Sequence, residues 1–263
     1  SQHELPFVIT NLMEGWNHID LLCLYEYNYT YSGTKKSYEF EKVLHLIPEN
    51  LKTKLYYKKV DITNYTDLNC SDDNKISRGN VPIQRSWFFN DSSLNLQDDD
   101  IIIDHDIDEI IYNYSYESLI KELNQQNRPL SIRLNQFFFK QNYFWYDCPF
   151  TSPTIYKYCM VKNNVKKIKG IKIQNLRNLQ NKTSQIYGCH MSWVMSAELM
   201  VTKLYSYDHP KYRKYADKKL LQEAIDNKVY IFDTNKSFNI KELDLNDKRI
   251  PIYLQKNNIF DYM

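Results

Sequence analysis

Residues 96–111, LQDDDIIIDHDIDEII, set seven carboxylates against six isoleucines. A solvated acidic face has no use for Ile101, Ile102 and Ile103 beside it. A buried strand, in turn, should not run into Asp104, Asp106, Asp108 and Glu109 unless something neutralises them. In an extended segment residues two apart point the same way, so Asp106 and Asp108 are expected to project together. Two such carboxylates repel unless one holds a proton or a cation lies between them. A hard divalent cation suits oxygen ligands and keeps positions free for phosphate oxygens. Asp-x-Asp after an apolar strand also fits a phosphohydrolase, with Asp104 as nucleophile and Asp106 as acid/base, so both chemistries stay open on the residues alone.

The elements that would position these acids follow from local pattern. The run HIDLLCLYEYN at 18–28 reads as a buried strand ending in polar residues. Phe40, Val43, Leu44 and Ile47 have helical spacing before Pro48, and KLYYKKVDI at 54–62 reads as a second strand. Strand, helix and strand predict a βαβ unit and a parallel sheet, with the isoleucine run as a third strand delivering its acids at the carboxyl edge. The polar stretch 63–81 is expected to be a long loop, with the length of a lid. A helix is expected from Tyr116, behind a Ser115 cap. The second half carries the strand candidates LSIRLNQFFFK, TIYKYCMVK and KKIKGIKI, then IYGCHMSWVM, a helix from Ser196 through Leu204 and another in ADKKLLQEAIDNK. No repeat and no Pro-, Gly- or Ser-rich linker interrupts the chain. A single α/β domain is therefore expected over 1–263, with halves meeting near residue 125.

Composition removes whole classes. A net charge of +2 gives no general case for nucleic acid or an anionic membrane. The cluster Lys162, Lys166, Lys167, Lys169 and Lys172 lacks the interleaved aromatics of a nucleic-acid surface. No run approaches the ~20 apolar residues of a membrane span, and SQHELPFVIT lacks the form of a secretory signal. Five scattered cysteines without CxxC suggest reduced thiols and a cytoplasmic setting. Abundant Asn, Lys, Ile and Tyr with only five glycines suggests an AT-rich coding genome, such as that of a large DNA virus.

Several segments, taken in order, resemble glycosyltransferase family 17, whose best-known activity adds the bisecting GlcNAc to mannosyl glycoproteins. They are YEYNYTYSGT, the acidic block behind the Arg85 segment, IRLNQFFFKQNYFW, GCHMSWVMSAELMVTKLYSYDH and IPIYLQKNNIFDY. Ile111 stands where the family has Pro, Cys189 where it has Trp, and YDHPKY lacks an acid the family often carries. The resemblance implies a GT-A-like fold with a mixed, mainly parallel central sheet. It also implies an inverting, metal-dependent transfer of GlcNAc from UDP-GlcNAc to a glycan or glycoprotein hydroxyl. Asp106, Asp108 and His190 would hold Mn2+ or Mg2+. Glu26, Asn28, Thr30, Arg85, Asp106 and Trp193 would contact the donor. Asp208 and Glu198 are the candidates for general base, Glu109 would contact the donor sugar or support the metal, and His209 is a weaker site candidate. A non-catalytic sugar-binding relative is the remaining alternative.

Overall fold

The computed structural model describes residues 2–257, less 66–79, 164, 169, 175, 178, 207–208 and 234–235. The expected loop at 63–81 thus lies mostly outside the described residues. Its last two positions begin a helical segment over 80–85.

Helix α1 (Leu5–Gly15) is buried along nearly its whole length. It packs Leu5, Val8 and Leu12 against Leu22, Phe40, Val43, Ile47 and Leu51. Strands β1 (Leu22–Tyr27) and β2 (Leu55–Val60) pair in parallel, Leu22 opposite Leu55 and Tyr27 opposite Val60. The expected βαβ unit is therefore present, although its crossover is a 3-10 segment at Phe40–Leu46 and a four-residue helix α2 (Glu49–Lys52). Pro48 separates the two, because it fixes its own backbone and disfavours helix at the residue before it.

The main sheet does not continue that parallel pair. Its order is β11 (Ile240–Glu242), β6 (Tyr143–Phe150), β5 (Leu130–Phe138), β10 (Lys182–Ser192) and β4 (Glu109–Ile111). Strand β7 (Thr154–Lys157) also pairs with β5, and β3 (Ile101–Asp104) pairs with β7. Within this sheet β5 and β10 run parallel, whereas the other pairings are antiparallel. This corrects the expectation of a mainly parallel sheet, and the reason is connection length. Segment 139–142 is all that separates β5 from β6, and a parallel crossover takes about a dozen residues or more; β7 then continues the direction of β6 along the same edge of β5.

Strand β3 is likewise not a buried central strand. It pairs with β7 alone among the described residues, and Ile101 is 37% exposed. Ile102 and Ile103 cover the edges of two separate apolar clusters. Because β7 and β10 flank β5 on opposite sides, the turn from Asp104 to Glu109 carries the chain from one flank of β5 to the other. That crossing holds the acids.

Helices also back the sheet. In α3 (Tyr116–Gln126), Leu119 and Leu123 pack on Leu130, Ile132, Leu134 and Tyr187. Ser115 precedes it without a side-chain capping bond. Helices α4 (Ala197–Ser206) and α5 (Lys218–Asp226) enclose a cluster of Phe138, Phe139, Trp145, Trp193 and Phe232. Asp217 caps α5 through the Leu220 amide. A short helix α6 (Ile252–Lys256) rests on α1, and the hairpin of β8 (Lys166–Ile168) and β9 (Ile171–Ile173) turns at Gly170, φ +84°.

Candidate functional site

The site is assembled on the ladder between β4 and β10. Glu109 lies opposite His190, Ile110 opposite Cys189 and Ile111 opposite Gly188. The Met191 amide donates to the Asp108 carbonyl at 2.8 Å, extending the ladder by one residue. The approach at Gly188 is so close that a Cβ there would lie 2.0 Å from the Ile110 carbonyl oxygen. Only glycine lets β4 come this near, and that nearness sets Asp108 beside His190.

Asp106 and Asp108 are neutralised separately. One Asp106 oxygen accepts from Arg85 Nη2 at 3.1 Å and from Arg177 Nη2 at 3.0 Å. Burial acts against its charge, yet Arg177 and Arg85 hold its carboxyl below the usual carboxylate range. The Asp108 carboxylate lies 3.8 Å from His190 Nε2 and 3.7 Å from Lys203 Nζ. Lys203 reaches it from α4 with its ammonium 5.0 Å from the centre of the Trp193 ring.

Arg177 is the hub. Its side chain is 4% exposed and donates to Glu109 Oε1 at 2.6 Å, to Ser152 Oγ at 2.8 Å and to Asp106. Glu109, 1% exposed, also accepts the Asp106 amide at 2.7 Å. Burial pushes the Glu109 carboxyl well above the usual carboxylate range, and Arg177 pulls it back. Asp104 is raised to about 6 by burial, against Arg177.

His190 is buried, tilted against Phe150 with ring centroids 3.9 Å apart, and its Nδ1 lies 3.4 Å from Gln136 Oε1. Burial lowers it to about 4, despite Asp108, so it is neutral at pH 7. Gln136 also lines a cleft of about 300 Å3 with Asn135, Trp145, Tyr146 and Asp147. A second, smaller pocket of about 60 Å3 is lined by Val81, Pro82, Arg85, Asp104, Gln174 and Arg177.

Of the expected metal ligands, the fold brings Asp108 and His190 together and gives Asp106 to two guanidinium groups. Among the described residues no three His, Cys, Asp or Glu side chains are grouped as an ion would need. With Asp106 occupied by arginines and an ammonium beside Asp108, the residues as arranged do not fit a Mn2+ or Mg2+ site.

The expected donor residues are engaged within the fold. Glu26 accepts from the Phe40 amide and the Tyr57 hydroxyl. Asn28 binds Asp61, Thr63 and the Ile62 amide, and Thr30 receives the Thr34 amide within a turn. Trp193 packs on Phe232 in the core with φ +57°. Arg85 alone of this group reaches the acids, with its guanidinium also 5.8 Å from the Tyr31 ring centre. Glu198 is exposed and paired with Lys218 at 2.9 Å, His209 is exposed near Tyr212, and Asp208 lies outside the described residues. The residue that sequence reasoning missed is Arg177. It stands in a polar stretch, 68 positions from the nearest acid it pairs with, Glu109, with no periodicity to mark it.

No described helix is long and apolar enough to cross a membrane. Comparisons with family models, with curated proteins and with solved structures returned no match.

Proposed function

We propose that the chain is a GT-A-type glycosyltransferase that moves a sugar, GlcNAc in the first instance, from a nucleoside diphosphate to a glycan hydroxyl. The supporting observation is the meeting of Asp106, Asp108, Glu109 and neutral His190 with Arg85, Arg177 and Lys203 on one ladder end. Cleavage of a sugar–diphosphate bond builds negative charge on the leaving group, and cations fixed in advance offset it without reorganising. The acceptor hydroxyl must lose a proton as it attacks the anomeric carbon. Glu198 is tied to Lys218 and Glu109 lies beneath Arg177. Asp108 is the partly exposed acid beside His190, and we assign it that proton.

The acceptor sugar is assigned to the cleft behind Gln136. Its aromatic and amide lining suits a polyol, whose ring faces are apolar and whose edges need hydrogen bonds. The edge position of β3 speaks against the phosphohydrolase alternative, since Asp104 does not end a parallel strand. A panel of nucleotide sugars, scored for nucleotide release with glycan acceptors in Mn2+ and in chelator, tests the proposal. Release with a UDP-sugar, abolished in Asp108→Asn, is the expected result. No release from any donor under either condition would sink it.

A further inference from the structure

The 60 Å3 pocket beside Asp106 has a polar demand that the protein does not meet. Arg85 Nε and Gln174 Oε1 are both buried and bond to no other group among the described residues. A buried polar atom without a partner costs roughly 1–3 kcal/mol, so its persistence calls for an occupant. The volume holds about two waters, or one tetrahedral oxyanion.

The lining selects between these. Two guanidinium groups and one carboxylate, Asp104, line it; since Asp106 and Glu109 already share the arginines' charge, what the walls offer an occupant is an unpaired guanidinium donor rather than net positive charge. Arg85 directs Nη2 at Asp106 and keeps Nε for another acceptor. A guanidinium offers its donors in a planar fork that matches phosphate oxygens. The terminal amide of Gln174 adds an N–H donor in its flipped orientation. In place of a divalent ion, a diphosphate oxygen here would meet the free Nε of Arg85, beside Asp106, whose carboxylate the two arginines already occupy.

We propose that the Arg85–Arg177 pocket is a phosphoryl site and that it takes a nucleoside diphosphate without a divalent cation. This rests on the transferase reading for the nucleotide, and the pocket for the phosphoryl group. Isothermal titration with UDP, on the full chain in EDTA and in Mn2+, tests it, with inorganic pyrophosphate as a second probe. Binding of UDP in EDTA within a few-fold of that in Mn2+ is expected. Arg85→Ala should weaken it by about tenfold or more, and Arg85→Lys should also weaken it because the fork is lost. Circular dichroism checks folding, and Gln174→Leu replaces Arg85→Ala if that variant does not fold. UDP binding that requires Mn2+ overturns this inference and leaves the transferase reading standing. Equal UDP affinity in wild type and in a folded Arg85→Ala also overturns it. Binding of pyrophosphate but not of UDP overturns the nucleotide assignment here and the choice of a UDP-sugar donor.

Discussion

Replacing Arg177 by Met tests the electrostatic hub most directly. The substitution keeps an extended apolar stem and removes the guanidinium that faces Glu109 at 2.6 Å, with the two side chains 4% and 1% exposed. Breaking one partner out of a buried ion pair costs roughly 3–5 kcal/mol, since a charge is left in a place that solvates it poorly. Here the lower end applies, about 3 kcal/mol, because Glu109 keeps the Asp106 amide and Asp106 keeps Arg85. Glu109 escapes the remaining cost by taking a proton. A carboxyl raised in the folded state binds more protons there than when unfolded. The variant is therefore most stable at low pH and loses stability as pH rises toward its folded pKa. Urea unfolding followed by tryptophan fluorescence at pH 5 and pH 8 should show a small loss at the former and the full loss at the latter. Adding Glu109→Gln should recover about 2 kcal/mol at pH 8, as expected for residues in one network. A loss below about 1 kcal/mol at both pH values would refute the account of Arg177 as the cation that makes Glu109 tolerable.

Four further expectations bear on the same region. Gly188→Ala should destabilise by about 2 kcal/mol or more and lower any activity, since the new methyl meets the Ile110 backbone, measurable by thermal unfolding. Asp104, raised to about 6, makes folded protein less stable as pH climbs from about 4 to 6; Asp104→Asn should remove that fall and add up to about 3 kcal/mol at pH 7.5 in urea titrations. His190, lowered to about 4, has the opposite sign, because the unfolded chain binds the extra proton and stability rises with pH through about 6.5. His190→Gln should flatten that rise. Lys203→Gln should lower turnover in the nucleotide-release assay by tenfold or more while shifting stability by less than about 1 kcal/mol, given a partly exposed ammonium.

Much of the local order was legible in advance. The βαβ opening and helices α3 to α5 carry periodic signals that act over a few residues, whereas KKIKGIKI, expected as one strand, folds into the β8–β9 hairpin because Gly170 takes a positive φ. The acidic block and His190 stand out in the sequence by residue type, and the fold sets Asp108 beside His190. Sheet direction is not legible at Ile101 to Ile103, because three apolar residues serve an edge strand as well as a buried parallel one. The short link 139–142 holds the contrary signal, as a hairpin-length connection. Arg177 was beyond reach for a different reason. A guanidinium that meets acids about seventy positions away is placed by tertiary packing, and nothing in its neighbours reports that.

The bond between the Met191 amide and the Asp108 carbonyl has an evolutionary corollary. Because the spacing of Asp108 and His190 is written in main-chain pairing, the segment 105–109 should not tolerate a change in its length. Inserting or deleting one residue would turn alternate side chains to the opposite face and trade Asp108 for a neighbour. Descendants of this chain should therefore keep the number of residues between Asp104 and Ile110.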